Sequence, residues 1–244
     1  MPLALKDLYR AEISLASIRR HVRHPIDNIV VVGQDKAEIR AFCSEHSMTY
    51  INENDVLPLA MIDYNYRTYG QSKPTTFVLQ QLIKLSAFDF MDADNVLVHD
   101  ADTYFMRDVA FFVGDRQILF VSDEYTKSYE RLLLEFIGPI KRYHRSFVAH
   151  SMIFQRRLVE RLNHKVRNIR GRNVIDAILE NIEIADRGGL SEYELYGNFL
   201  NSFHSEDFVT RYWYNRKIPP DTMLPLAQLE ELFWNMNSVS AHEH

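Results

Sequence analysis

Asp100 and Asp102 stand one residue apart, directly after the apolar run Val96-Leu97-Val98 and His99. In an extended chain, residues two apart point to the same side, so these carboxylates can converge on one point. Converging carboxylates repel unless a cation lies between them. Hard oxygen ligands of this kind suit Mg²⁺ or Mn²⁺, which also bind diphosphates. The plain alternative is an acidic turn capping the next element, since Asp is common in turns and at N-caps. Glu192 and Glu194 lie two apart on a predicted helix and cannot share a face. One is therefore expected to face a cleft and the other solvent. Glu192, nearer the helix start, is the favoured acid–base group, with helix capping as its competing role. His150 interrupts an apolar run, where an imidazole needs a hydrogen-bond partner. It either contacts a ligand or is a satisfied core histidine. Asp123 and Glu124 end a predicted strand, the place where open α/β sheets gather ligands.

The elements that must position these groups follow from the apolar pattern. Pro2 to Leu5 reads as a short first strand ending at Lys6-Asp7, and Leu8 to His24 as a helix stopped by Pro25. Asn28 to Gly33 is a buried strand, Lys36 to His46 a helix, and Thr49 to Glu53 a third strand. This alternation favours a parallel sheet with helices on its faces. Residues 63–76 are polar and aromatic and read as a loop containing Arg67 and Lys73. A helix from Phe77 to Ala87 carries Lys84, and the strand 96–99 leads to the aspartates. Strands are predicted at 117–122 and 146–154, the latter on both sides of His150. Further helices are predicted at 129–136, 156–162, 174–181, 191–200 and 224–235. Between 162 and 174 a basic stretch (Lys165, Arg167, Arg170, Arg172) reads as a solvated loop, with an anionic acceptor or a membrane surface as its alternative contact.

Bulk properties narrow the class. The 244 residues suit one large domain. A net charge of −5 argues against general nucleic-acid binding. The single cysteine, Cys43, excludes an internal disulfide framework or a Cys-rich zinc site. No apolar run reaches the roughly 18–20 residues of a membrane span, and the start lacks a signal-peptide pattern. The expected location is cytoplasmic, with any membrane contact peripheral.

The ordered set Gln80-Gln81-Leu82-Ile83-Lys84-Leu85, Val98-His99-Asp100-Ala101-Asp102-Thr103, Val148-Ala149-His150-Ser151-Met152-Ile153-Phe154 and Ser191-Glu192-Tyr193-Glu194-Leu195-Tyr196-Gly197-Asn198-Phe199 resembles nucleotide-sugar glycosyltransferases of the GT-A type. More narrowly, it resembles the bacterial DUF6492 family. The resemblance implies a single α/β/α sandwich with a central, mainly parallel sheet. It also implies a nucleotide-binding half (1–125) and an acceptor-side half (126–244). Asp100 and Asp102 would hold Mn²⁺ or Mg²⁺ on the diphosphate of a sugar nucleotide, a UDP-sugar first among them. His204 would complete the metal site, and Asp7 would lie near the nucleoside. Lys84, Lys73 and Arg67 would contact the diphosphate, while His150 and Asp123 would line the sugar or acceptor side. If the transfer inverts, Glu192 or Glu194 would serve as base to the acceptor hydroxyl of a glycan or lipid-linked glycan; if it retains, that carboxylate would grip a sugar hydroxyl. Two rivals remain. A haloacid-dehalogenase-type phosphohydrolase wants Thr or Val where this chain has Tyr104. A non-catalytic sugar- or nucleotide-binding scaffold would keep the cleft without the chemistry.

Overall fold

In the computed structural model, which describes residues 1–57 and 76–241, the first three strands pair side by side. They are β1 (Pro2–Leu3), β2 (Val30–Gly33) and β3 (Thr49–Asn52), all parallel, with Pro2 opposite Val32 and Val32 opposite Ile51. Two helices make the crossovers, α1 (Leu8–His21) and α2 (Ala37–Glu45). The β-branched residues of β2 are all buried. Gly33 closes that strand because a Cβ there would lie 2.4 Å from the Leu3 carbonyl oxygen. Helix α1 ends three residues earlier than the apolar pattern predicts. Its last turn holds Arg19 and Arg20, cations that favour a helix C-terminus.

The remaining strands depart from the expected arrangement. They form small sheets of mixed direction instead of extending one mainly parallel sheet. Strand β4 (Asn95–His99) runs antiparallel to β8 (Ser151–Gln155), with His99 opposite Ser151. Strand β5 (Thr103–Phe105) pairs antiparallel with β11 (Ser238–Ser240), which lies parallel to β10 (Asn215–Lys217). Strand β7 (Arg116–Val121) pairs antiparallel with β6 (Phe112–Val113) and parallel with β9 (Phe208–Tyr212). Glutamine side chains join the β4–β8 pair to β7. Gln117 donates to the Ile153 carbonyl at 2.6 Å, and Gln155 donates to Gln117 Oε1 at 3.0 Å. The antiparallel pairing of β4 with β8 matters most for the site, because it sets residues 99–100 beside residues 150–151.

Helices α3 (Thr76–Leu85), α4 (Tyr129–Ile137), α5 (Arg156–Arg170), α6 (Val174–Glu180) and α7 (Glu192–Phe203) pack around these strands, and α8 (Leu226–Leu232) lies near the C-terminal end. Their core joins Leu82, Val98, Phe136, Phe154, Leu162 and Tyr196. The basic stretch from Lys165 to Arg170 is helix and not loop. Leu158, Val159, Leu162 and Val166 continue a buried stripe through it, and Gly171 ends it at φ 72°. Residues 146–150 do not extend β8. A single bridge holds Ser146 to Ser122, and His150 adopts a left-handed backbone with φ 59°. Among the described residues, no helix is long and apolar enough to cross a membrane.

Candidate active site

The site is assembled where three chain segments end. Lys84 sits in the last turn of α3, Asp100 follows β4, and Glu192 opens α7 beneath the Ser191 cap, whose hydroxyl accepts from the Glu194 amide at 3.3 Å. Lys84 Nζ donates to Asp100 Oδ1, to Glu192 Oε1 at 2.6 Å and to the Tyr193 hydroxyl at 3.2 Å. That hydroxyl in turn donates to Asp100 Oδ1 at 3.2 Å. On the other side, His150 bridges two carboxylates. Its Nδ1 lies 3.1 Å from Asp100 Oδ2, and its Nε2 lies 3.1 Å from Glu124 Oε1. The His150 carbonyl also accepts from the Asp100 amide at 3.1 Å. The left-handed backbone, tolerated by His more readily than by most residues, lets ring and carbonyl reach the same aspartate.

Charge inside this network is strongly biased. Burial alone would lower the Lys84 pKa, but Asp100 and Glu192 push it well above the usual lysine value. Burial would raise Asp100, yet Lys84 and His150 hold it below the carboxylate range. For Glu192, burial and the repulsion of Asp100 outweigh the pull of Lys84, so its pKa is raised. Burial lowers His150, but its bonds to Asp100 and Glu124 prevail and bring it to about 9. Glu124 is raised by burial and pulled down to about 2 by His150, Lys217 and Asn215. Environments that push neighbouring carboxylates apart separate their roles. Asp100 stays ionised, and Glu192 is the group that takes up a proton first.

These side chains line a cleft of about 410 Å³, together with Asp102 and, at its rim, Asp7, Arg10 and Lys217. Arg10 pairs with Asp7 and donates twice to the Pro220 carbonyl, at 2.9 and 3.1 Å, tying α1 to the C-terminal segment. A tight turn separates the two aspartates, with the Thr103 amide donating to the Asp100 carbonyl at 3.1 Å. They therefore reach the cleft from a turn and not from an extended strand. The donor set fits a hard divalent cation. Asp100 and Asp102 both line the cleft and bring carboxylate oxygens, the ligand type that Mg²⁺ and Mn²⁺ prefer.

A family model described as "Family of unknown function (DUF6492)" matches residues 1–244. This chain belongs to DUF6492. No curated protein matches it. In this DUF6492 chain the cleft brings together Asp7, Lys84, Asp100, Asp102, His150 and Glu192, six of the residues selected from sequence. Arg67 and Lys73 lie outside the described residues.

Three other candidates lie elsewhere. Glu194 faces neither the cleft nor solvent. It is buried, accepting from the Ser146 hydroxyl at 2.5 Å, the Phe147 amide at 2.8 Å and Asn198 Nδ2 at 2.7 Å. It therefore anchors the segment before His150. Gly197, one turn on, lets that segment approach, because a Cβ there would lie 2.3 Å from Phe147. Asp123 points outward, paired with Arg145 and accepting from the Tyr212 hydroxyl at 2.6 Å; Glu124 takes the cleft position instead. His204 caps the far end of α7, twelve residues from Glu192 and so roughly 18 Å along the helix. Helix length separates it from the aspartates. His99, read as structural, is held in the core by Ser14 and Ser151, each at 3.0 Å. Sequence reading missed Tyr193, Arg10 and Lys217. Only Tyr193 carried a signal, its place inside the Ser191–Phe199 motif.

Proposed function

We propose that this DUF6492 chain is a metal-dependent glycosyltransferase. It would move a sugar from a nucleoside-diphosphate sugar, a UDP-sugar first among them, to a glycan or glycolipid acceptor. The observation that supports the reading is the convergence of Asp100, Asp102, Lys84 and Glu192 on one cleft, where a buried lysine pairs with Asp100 and Glu192 while burial and Asp100 raise Glu192 alone. Asp100 and Asp102 would hold Mn²⁺ or Mg²⁺, which supplies Lewis-acid stabilisation of the leaving diphosphate. Lys84 orients Asp100 and Glu192. Glu192, with its raised pKa, takes the proton of the acceptor hydroxyl. His150 keeps Glu124 and Asp100 at fixed separation on the opposite wall. The Ala241 amide donates to the Asp102 carbonyl at 2.9 Å and holds the turn that carries Asp102 against the C-terminal strand.

One observation favours a second reading, a binding cleft without metal chemistry. Lys84 and His150 already balance Asp100. A thermal-stability panel separates the two. UDP, GDP, CDP and ADP are each added with Mn²⁺ and with EDTA, since a ligand of the folded state raises the melting temperature by mass action. A rise with one nucleotide that EDTA removes, and that Asp102→Asn diminishes, is the expected result. A rise that EDTA leaves untouched points to the metal-free cleft, and no rise with any nucleotide overturns the transferase reading.

A further inference from the structure

The motif Gln80 to Leu85 gives Lys84 to the network and leaves its glutamines without a role. Gln81 lies three residues before Lys84, a spacing that puts both on one face of α3, and it lines the cleft at 2% exposure. Its amide is half-used. Nε2 donates to the Phe77 carbonyl at 3.4 Å, whereas buried Oε1 has no donor among the described residues. Turning the amide over would set oxygen against oxygen at Phe77, so the orientation is fixed by that carbonyl. A buried acceptor without a donor is costly, and such groups in native structures call for an explanation. Within reach of the cleft, that explanation is a ligand that donates.

We propose that Gln81 is a specificity-determining residue whose Oε1 accepts a hydrogen bond from the bound nucleotide sugar, from a sugar hydroxyl or from a hydroxyl or N–H of the nucleoside. This rests on the nucleotide-sugar reading above. It names the half of the side chain that reads the ligand, and it excludes ligand acceptors such as phosphate oxygens from that spot. Lys84 fixes carboxylates in the same cleft; Gln81, one turn earlier, recognises.

The test is Gln81→Met, which keeps the volume and removes the acceptor. The Phe77 carbonyl keeps its helical bond from the backbone, so nothing else is orphaned. The free variant is expected to melt at or above the wild-type temperature. Its affinity for the ligand should fall roughly five- to tenfold, the worth of one neutral hydrogen bond. Titrating UDP and UDP-glucose with Mn²⁺ against both proteins locates the donor group. A loss confined to UDP-glucose assigns a sugar hydroxyl, and an equal loss for both assigns the nucleoside. Unchanged affinity for both ligands overturns the inference. So does a variant whose stability falls together with its affinity, because that marks a packing role. Wild-type protein that binds neither ligand overturns the transferase reading and this inference with it. Wild-type binding that Gln81→Met leaves intact overturns this inference alone.

Discussion

The two ends of α7 gather the same kinds of side chain and differ in almost everything else. At the start, Glu192 and Tyr193 of α7 meet Lys84 from α3 and, through Tyr193, Asp100 from the end of β4 in the interior. At the far end, His204, Glu206 and Asp207 place their ligand-type atoms within 4.8 Å of one another. That second group is local, three residues of one turn, with Arg157 on Asp207 at 2.8 Å and Arg161 on His204 at 3.4 Å. A list of acids and histidines ranks the two ends equally. What separates them is origin. A cluster built from distant segments around a cleft constrains charge, while one made by a surface turn is screened by water and by its own arginines.

Breaking the buried end should have the largest effect. Lys84→Met removes the cation between Asp100 and Glu192, and stranding buried carboxylates in this way costs about 3–5 kcal/mol. Urea unfolding should show that loss, and a change below ~1 kcal/mol would mean the carboxylates already share a proton. The two ends should also answer pH in opposite directions. His150 is raised above its unfolded value, so its contribution is complete below about pH 6.5 and disappears as pH climbs through about 9. His204 is lowered by burial and Arg161, so its contribution is present above about pH 6.5 and is lost as pH falls. Unfolding curves of His150→Gln and His204→Gln between pH 5 and 9.5, compared with wild type, read each slope separately; alkaline sensitivity that survives His150→Gln would contradict the assignment. The smallest effect belongs to His204→Ala, expected within ~0.5 kcal/mol of wild type and without change in any Mn²⁺-linked nucleotide shift. Loss of that shift would return His204 to the metal set.

Much of this was legible before any coordinates. Apolar runs found β2, β4, β7 and most helices, and the spacing rule for Glu192 and Glu194 correctly denied them a common face. Periodicity says which residues diverge but not what the hidden face touches. Glu194 turned inward to hold Ser146 and Phe147, a destination set by tertiary packing and Gly197. The antiparallel β4–β8 pair was illegible for a related reason, since direction depends on the path between strands and not on their composition. The first half of α5 was legible as helix, but its basic second half from Lys165 was misread as a loop because Val166 is the one buried apolar residue there to carry on the stripe of Leu158, Val159 and Leu162. His204 failed as a metal candidate because residue type was weighed without the length of α7.

Synthesis imposes an order on the buried end. Lys84 and Asp100 are 16 positions apart, but Glu192 follows Lys84 by 108 and Tyr193 follows Asp100 by 93. At about 5–20 residues per second, that interval is roughly 5–20 s of translation. During it the lysine has one of its two carboxylates, and the largest core cluster lacks Tyr193, Leu195, Tyr196 and Phe199. The emerging chain therefore holds an incompletely paired cation beside an open apolar surface until α7 is made. That is the window in which non-native apolar contacts compete with the native core.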